Sequence, residues 1–500
     1  MLFQTTGTCA AAWFSESGAL PVRYSQQGIY FGEEFIMSKV TVIVVLLLLS
    51  FLGGALRARP LDQRAVSAAV ATRQLNALAV TLLKYHPYLR NPRVKSRFDA
   101  KLAALRDSIH RPLPMWREWL LQQQLIRTLD DPHTMLYPLF LEDRALAVDL
   151  HWVSDGVLIS PGSWMHPPLF PKNSLLLRLG PDDPKVLLSK LKALYAGTPE
   201  FIAAGPGFEL YCAYELRWLG LVDIKNRVAV LIKTPAGDIR HLRIPLTHAP
   251  SLQVIFKTER HKSWYRWTVD KKHNIGWFTL NQMKLSGSYE QAVVAFFDAV
   301  ERAGVTRIAV DLRHNGGGES LAEAPFMQYL GVKKITDYNP PPTYFDPKHL
   351  TREIRQLEAG LKKLSPPGTA VPSIPVPPAP PANRIFHGRF YVVTGPGCFS
   401  SAMEFAADVK FNHLGTIVGR PCAEVVTGPG EVKEEFAHPP SGVPFQVSTN
   451  IFTWPGLPRN ALVEPDVAIP LTVREVQQHV DPVRRWFDET NSRRRHDGPR

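Results

Sequence analysis

Two adjacent serines, Ser400-Ser401, stand directly before Ala402-Met403-Glu404 and just after a run of turn formers, Gly395-Pro396-Gly397-Cys398. The preceding Arg389–Thr394 (RFYVVT) is aromatic and β-branched and reads as a buried strand. Ser401–Phe411 reads as a helix with Phe405 and Val409 on its apolar side, and Gly415–Gly419 returns as a strand. A serine at such a strand–turn–helix junction holds its hydroxyl where helix amides and the helix dipole favour negative charge. That position suits a nucleophile whose attack creates an oxyanion. It equally suits an ordinary serine N-cap, so the segment by itself leaves both readings open.

A second stretch with chemical potential is Arg307–Ser320, RIAVDLRHNGGGES. Ile308–Leu312 is an apolar strand, and Asn315-Gly316-Gly317-Gly318 follows it directly. Three glycines let the backbone take positive φ and approach a ligand closely, with amides free to donate. No Lys-Ser/Thr pair follows, which disfavours a phosphate loop. Two strand-end loops in one sheet, one bearing a serine and one bearing glycine amides, form the kind of crevice where α/β sheets bind ligands. Asp311 and Arg313 read as an ion pair bracing the glycine turn. His133 closes the run Asp130-Asp131-Pro132-His133. An imidazole titrates near neutral pH and can act as a base, although a single histidine after a helix is more often structural. Asp130 or Asp131 could orient it or simply cap the loop.

DLRHNGGG resembles the Asp-Leu-Arg-x-Asn-x-Gly-Gly signature of the C-terminal processing (tail-specific) peptidases, a family that includes the tricorn protease core. CFSSAMEFA is similar to that family's nucleophile segment, a serine followed by Ala-x-Glu, and this register implies Ser401, with Ser400 and Glu404 in support. NALVEPDVAIP resembles its Val-x-Pro-Asp end, and Leu129–Thr134 (LDDPHT) resembles its Asp-Gly-His-Thr element. The four motifs keep the family's order across roughly residues 65 to 485. The resemblance implies an α/β fold, a ClpP/crotonase-like spiral of β-β-α units, and a serine-type peptidase. Acyl transfer would go to Ser401, with His133 as general base as in tricorn-type members. The oxyanion would sit against amides of Gly317, or its neighbours Gly316 and Gly318, and of Ala402, with Asn315, Asp311 and Arg313 supporting the turn. No cofactor or metal is implied, and no CxxC or His-x-x-His spacing suggests one.

This chain also departs from the family. Members with a Ser/Lys dyad carry lysine shortly after the strand that follows the nucleophile helix, where this chain reads Arg420-Pro421-Cys422-Ala423-Glu424-Val425-Val426. Pro132 stands where tricorn-type members place a serine, and their C-terminal glutamate falls near Arg459, with Glu464 close by. A histidine-based site is the one left. Two rivals follow: an inactive ligand- or peptide-binding protein of the same fold, and an esterase-like acyl hydrolase.

The elements that must position these residues fall into three regions. Arg64–Lys84, Val94–Ile109 and Pro114–Leu129 show helical apolar spacing and give an N-terminal helical domain over 64–140. Strands Val157–Ile159 and Ser174–Leu179, a helix at Pro184–Leu194, and a hairpin of Arg227–Thr234 with Ile239–Pro245 give a middle α/β or PDZ-like module over 145–255. Strand Ile275–Leu280, helix Tyr289–Ala303, strand Arg307–Arg313 and helix Ser320–Tyr329 open a core over 264–485 whose alternation implies a largely parallel sheet. A proline-dense insertion, 365–383, interrupts it as a solvated surface segment. After a helix around Val480–Phe487, residues 486–500 read as a basic, disordered tail.

The 500 residues are 45% hydrophobic and 21% charged, which is globular, with a net charge of +13 spread along the chain. Without a basic helix carrying stacking aromatics, that charge favours acidic partners or an anionic envelope and not nucleic acid. Met37-Ser38-Lys39, the apolar run Val40–Leu52 and Gly53-Gly54-Ala55 read as a signal peptide over 37–58, behind an extension at 1–36. Export to a periplasmic or extracellular space is the expectation, with an uncleaved membrane anchor as the alternative. Of four cysteines, Cys9 lies ahead of that signal. Cys398 and Cys422 flank the expected site and could pair in an oxidising compartment or stay as buried thiols.

Overall fold

The computed structural model describes residues 60–138, 144–162, 165–205, 210–248, 263–337, 384–436 and 443–496, with a short pair of strands at Tyr24–Ser25 and Gly28–Ile29. Contacts divide the chain into two units, Met1–Arg59 and Pro60–Arg500, and the second carries every candidate site residue. The expected signal peptide over 37–58 and the proline-dense insertion over 365–383 lie outside the described residues. No helix among the described residues is long and apolar enough to cross a membrane.

The second unit opens with three helices, α1 (Ala68–Tyr85), α2 (Pro92–Asp107) and α3 (Met115–Ile126). Ser67 caps α1 and Asn91 caps α2, each side chain accepting from first-turn amides. α1 starts later than its apolar spacing suggests because Ala65–Val66 pairs as a strand with Leu113–Pro114. Leu75, Leu78, Leu82, Phe98, Leu102 and Trp119 close one apolar core among these helices. After α3 a short 3-10 turn ends at Asp130 in the left-handed region, and strand β1 (Met135–Leu136) follows.

Next comes an antiparallel sheet: β2 (Arg144–Leu146), β3 (Val148–Val153), β4 (Gly156–Pro161), β5 (Ser174–Leu179), β6 (Arg227–Lys233) and β7 (Ile239–His248). Its order is β2-β7-β6-β5-β4-β3, which leaves β3 at an edge. Helix α4 (Pro184–Leu194) covers it with Leu187 and Leu191.

The core sheet is built from β8 (Tyr265–Asp270), β9 (Ile275–Leu280), β10 (Arg307–Asp311), β11 (Arg389–Thr394), β12 (Thr416–Gly419) and β15 (Val467–Ala468), in that spatial order. Only β8–β9 is antiparallel. β9 and β10 are buried at every position, as parallel strands covered on both faces must be. Phe278, Val310 and Val392 point to one face, against helices α5 (Gly287–Ala303) and α6 (Ser401–Phe411). Trp277, Ala309 and Val393 point to the other, against Val483 and Phe487 of helix α7 (Pro482–His496). Strands β13 (Gly428–Phe436) and β14 (Pro444–Phe452) form a further small sheet with β1.

One expectation is corrected here. The basic stretch from 486, expected as a disordered tail, continues α7 as far as His496. Val483, Trp486 and Phe487 recur at helical spacing and pack on the core sheet, and that burial outweighs the charge around them.

Candidate active site

Strand β11 delivers the chain to the loop 395–400, and α6 begins at Ser401. Ser400 occupies the N-cap position with φ 56° and ψ −132°, and its side chain makes no capping bond. A non-glycine residue held at positive φ costs about 1–3 kcal/mol, which the surrounding contacts must supply. Those contacts are specific: the Ser400 amide donates to Glu424 Oε1 at 2.5 Å, and its carbonyl accepts from the Glu404 amide at 3.0 Å. Ser401 is 6% exposed, and its hydroxyl donates to the Gly318 carbonyl at 2.7 Å. Neither serine serves as an ordinary cap, so that reading of the segment does not hold.

The glycine turn is gripped by Asn315. Its Nδ2 donates to the Leu280 carbonyl at 3.0 Å, and its Oδ1 accepts from the Gly317 amide at 2.9 Å. Gly317 (φ +96°) passes so close to the serine loop that a Cβ there would lie 2.6 Å from Ser400 Cβ and 3.0 Å from the Ser401 nitrogen. Gly318 (φ +138°) packs on Met283, whose oxygen would be 2.0 Å from such a Cβ. The two strand-end loops therefore meet. Of the amides expected to face an oxyanion, Gly317 is bonded to Asn315, and Ala402 donates to the Phe399 carbonyl at 3.2 Å. The amides of Gly316 and Gly318 carry no hydrogen bond among the described residues. Asp311 and Arg313 pair at 2.8 Å below the turn, and Arg313 reaches on to Asp481, also at 2.8 Å.

His133 arrives from the helical region. Its amide donates to Asp131 Oδ1 at 2.8 Å, while Asp131 Oδ2 collects His86 Nε2 at 3.0 Å, Thr134 Oγ1 at 2.6 Å and Ser448 Oγ at 2.7 Å. Burial alone would raise the Asp131 pKa, but the bond from His86, the nearby imidazoles and Thr134 together hold it below the usual carboxylate value. The His133 ring lies 4.4 Å from the Phe399 ring, and Phe399 in turn stacks on Phe201 at 5.0 Å. His133 Nδ1 sits 3.4 Å from Glu424 Oε2. No hydrogen bond joins His133 to Ser401. The imidazole thus reaches the serine loop through Phe399 and Glu424 and not through the hydroxyl.

Glu424 is the residue that motif reading missed. It is buried, and burial pushes its pKa up, opposed by His133 and by the Ser400 amide. One carboxylate oxygen holds the strained serine loop and the other faces the imidazole. The available signal was an acid inside the apolar run CAEVV, immediately after the strand beside β11. Glu404 accepts from Ser320 Oγ at 2.6 Å, and burial raises its pKa to about 8. Cys398 and Cys422 are fully buried free thiols with sulfurs 3.2 Å apart, each two residues ahead of one member of the Ser400–Glu424 contact. Among the described residues no group of three or more His, Cys, Asp or Glu side chains is arranged to hold a metal ion.

A buried serine on a strained turn, braced by a glycine loop at the ends of parallel strands, is a hydrolase arrangement. Residues 274–467 match the model of peptidase family S41, the segment in which the sequence resembles the tail-specific peptidases. The matched segment contains Gly316–Gly318, Ser401 and Glu424 but not His133. Among solved structures, mature CPAF complexed with lactacystin aligns at 13% identity and a TM-score of 0.59, covering 85% of this chain and 98% of that one. A second structure of mature CPAF aligns at 14% identity and TM-score 0.59, covering 85% and 97%. At such identities the likeness is one of fold, a mixed α/β fold. No curated protein matches the chain in sequence.

Proposed function

We propose that the protein is an exported serine endopeptidase in which Ser401 forms the acyl-enzyme and His133 is its general base. The observation that carries this reading is the Ser401 hydroxyl, which caps nothing and lies against the glycine turn within the family segment. Glu424 faces Nδ1 of His133, so an Nδ1–H would donate to it and leave Nε2 to take the serine proton. Glu424 is then a positioning residue. For the reaction, Ser401 exchanges its bond to the Gly318 carbonyl for one to His133 Nε2, a side-chain and loop adjustment of the kind that catalytic contacts make as substrate binds. The amides of Gly316 and Gly318 are the unoccupied donors for the oxyanion, each worth on the order of 3 kcal/mol to the transition state. Water then hydrolyses the acyl-enzyme. The core is read as a ClpP/crotonase-like spiral and the middle sheet as PDZ-like, and the apolar run at Val40–Leu52 supports export.

A second reading, a binding protein without turnover, draws on the absence of a Ser401–His133 hydrogen bond. A fluorophosphonate separates the two. Labelling of the purified full chain that disappears in Ser401→Ala and slows sharply in His133→Ala, with release of peptides from casein, is the expected result. A chain that stays unlabelled overturns the enzyme reading, and labelling unchanged in folded His133→Ala overturns the base.

A further inference from the structure

A cavity of about 1520 Å³ lies apart from Ser401, which is not among the residues lining it. It lies between the edge strand β3 and the loops at the ends of the core strands. Asp149 and His151 line it from β3, Arg313 and His314 from the start of the glycine turn, and Arg420 from the end of β12. Along β3, Val148 and Leu150 are buried while Asp149 and His151 alternate outward, the period that a half-buried strand imposes.

Arg420 is the anomaly. It is half-buried, and its guanidinium has no hydrogen-bond acceptor or ion-pair partner among the described residues. Arg313 beside it is satisfied by Asp311 and Asp481. Burial lowers the Arg420 pKa, and the acid that opposes this is Glu200 on the cavity wall. Burial, followed by the charge of Arg420, lowers the pKa of His151 as well, which favours a neutral imidazole beside the guanidinium. A partly desolvated guanidinium without an acceptor is costly, and a carboxylate held by its fork repays that cost.

We infer that Arg420, flanked by His151 and His314, binds an Asp or Glu side chain of a peptide lying extended along β3. Among the described residues no strand pairs with the outer edge of β3, so a peptide strand can add there around Asp149–His151, and its alternate side chains fall on the face carrying those two residues. Because His314 adjoins Asn315 and the Gly395–Gly397 segment also lines the cavity, bound peptide borders both loops of the candidate active site. From the peptidase reading the inference borrows only that the ligand is a peptide.

Binding is therefore measured on the full chain carrying Ser401→Ala, where turnover plays no part. The probes are fluorescein-labelled, C-terminally amidated Thr/Val octapeptides with one Glu moved through the four central positions, and their Gln counterparts, read by anisotropy. At least one Glu peptide should bind about tenfold or more tightly than its Gln twin, the scale of a charge-assisted bond. Adding Arg420→Met should bring the pair within about twofold of each other, and Glu200→Gln, which removes the competing acid, should tighten the Glu peptide. Equal binding of all twins, no binding at all, or a Glu preference that survives a folded Arg420→Met protein overturns the inference. So does a Gln peptide with a free C-terminus that binds as tightly as the amidated Glu peptide, since the site would then read a chain end.

Discussion

Replacing Gly317 by alanine tests whether the glycine turn and the serine loop make the contact described. At φ +96° an alanine costs about 1–2 kcal/mol in backbone strain alone. Its Cβ would also lie 2.6 Å from Ser400 Cβ and 2.8 Å from the Phe399 oxygen, against the 3.4 Å at which ordinary contact begins. Ser400 is itself held at φ 56° by Glu424 and has little freedom to retreat. Relief must come from the start of α6, which carries Ser401. The combined cost should be about 2–4 kcal/mol of stability, and a displacement near 1 Å of the hydroxyl should lower kcat/KM about a hundredfold. Thermal unfolding and hydrolysis of a quenched fluorogenic peptide measure the two effects. Gly316→Ala is the control for stability, because nothing lies within 4 Å of its Cβ, and it should lose less than about 0.5 kcal/mol. A Gly317→Ala protein with unchanged Tm and unchanged activity would refute the proposed contact between the loops.

Three further outcomes follow from particular contacts. Glu424→Gln keeps the size of the side chain but removes the charge facing His133, and should cut kcat by about 10²–10⁴ while the fold persists by circular dichroism; undiminished turnover sinks the positioning role. Glu118 is buried beside Gln122 with its pKa raised to about 8, so the folded state holds a proton that the unfolded state releases near pH 4.5. Stability contributed by Glu118 is therefore complete below pH 4.5 and falls as pH rises through 8, and Glu118→Gln should recover on the order of 4 kcal/mol at pH 9 in urea unfolding, a difference that vanishes at pH 4. Mild oxidation should join Cys398 to Cys422, seen as a crosslinked peptide pair by mass spectrometry and as about 3 kcal/mol of added stability, both lost in Cys422→Ser; persistence of two alkylatable thiols after oxidation and unfolding would contradict it.

The core was legible because burial on both faces of a parallel sheet leaves unbroken apolar runs, as in IGWFTL and RIAVD. α5 was equally plain, with Val293, Phe296, Phe297 and Val300 at helical spacing between a Ser286 cap and a left-handed Gly304. The serine and glycine loops announced themselves through turn formers at strand ends. Their partners did not. Glu424 looks like a lost lysine in sequence, and its value appears only when the chain brings it against Ser400 and His133. Strands β13 and β14 were not read, since GPGEVKEEF shows glycine, proline and charge before it shows β-propensity. α7 was cut short for a related reason: three apolar residues anchor it, but the charges around them dominate a composition-based reading.

Asp131 has a consequence for synthesis. It gathers His86, Thr134 and Ser448 onto one oxygen, and Gln446 adds a bond from its Nε2 to the His133 carbonyl at 2.7 Å. The imbalance between when these residues are made matters on the ribosome, where the chain emerges from its amino end. A nascent polypeptide that already displays His133 and even Ser401 still lacks the clamp until Ser448 has left the exit tunnel, so the imidazole is secured only after both of those side chains have emerged.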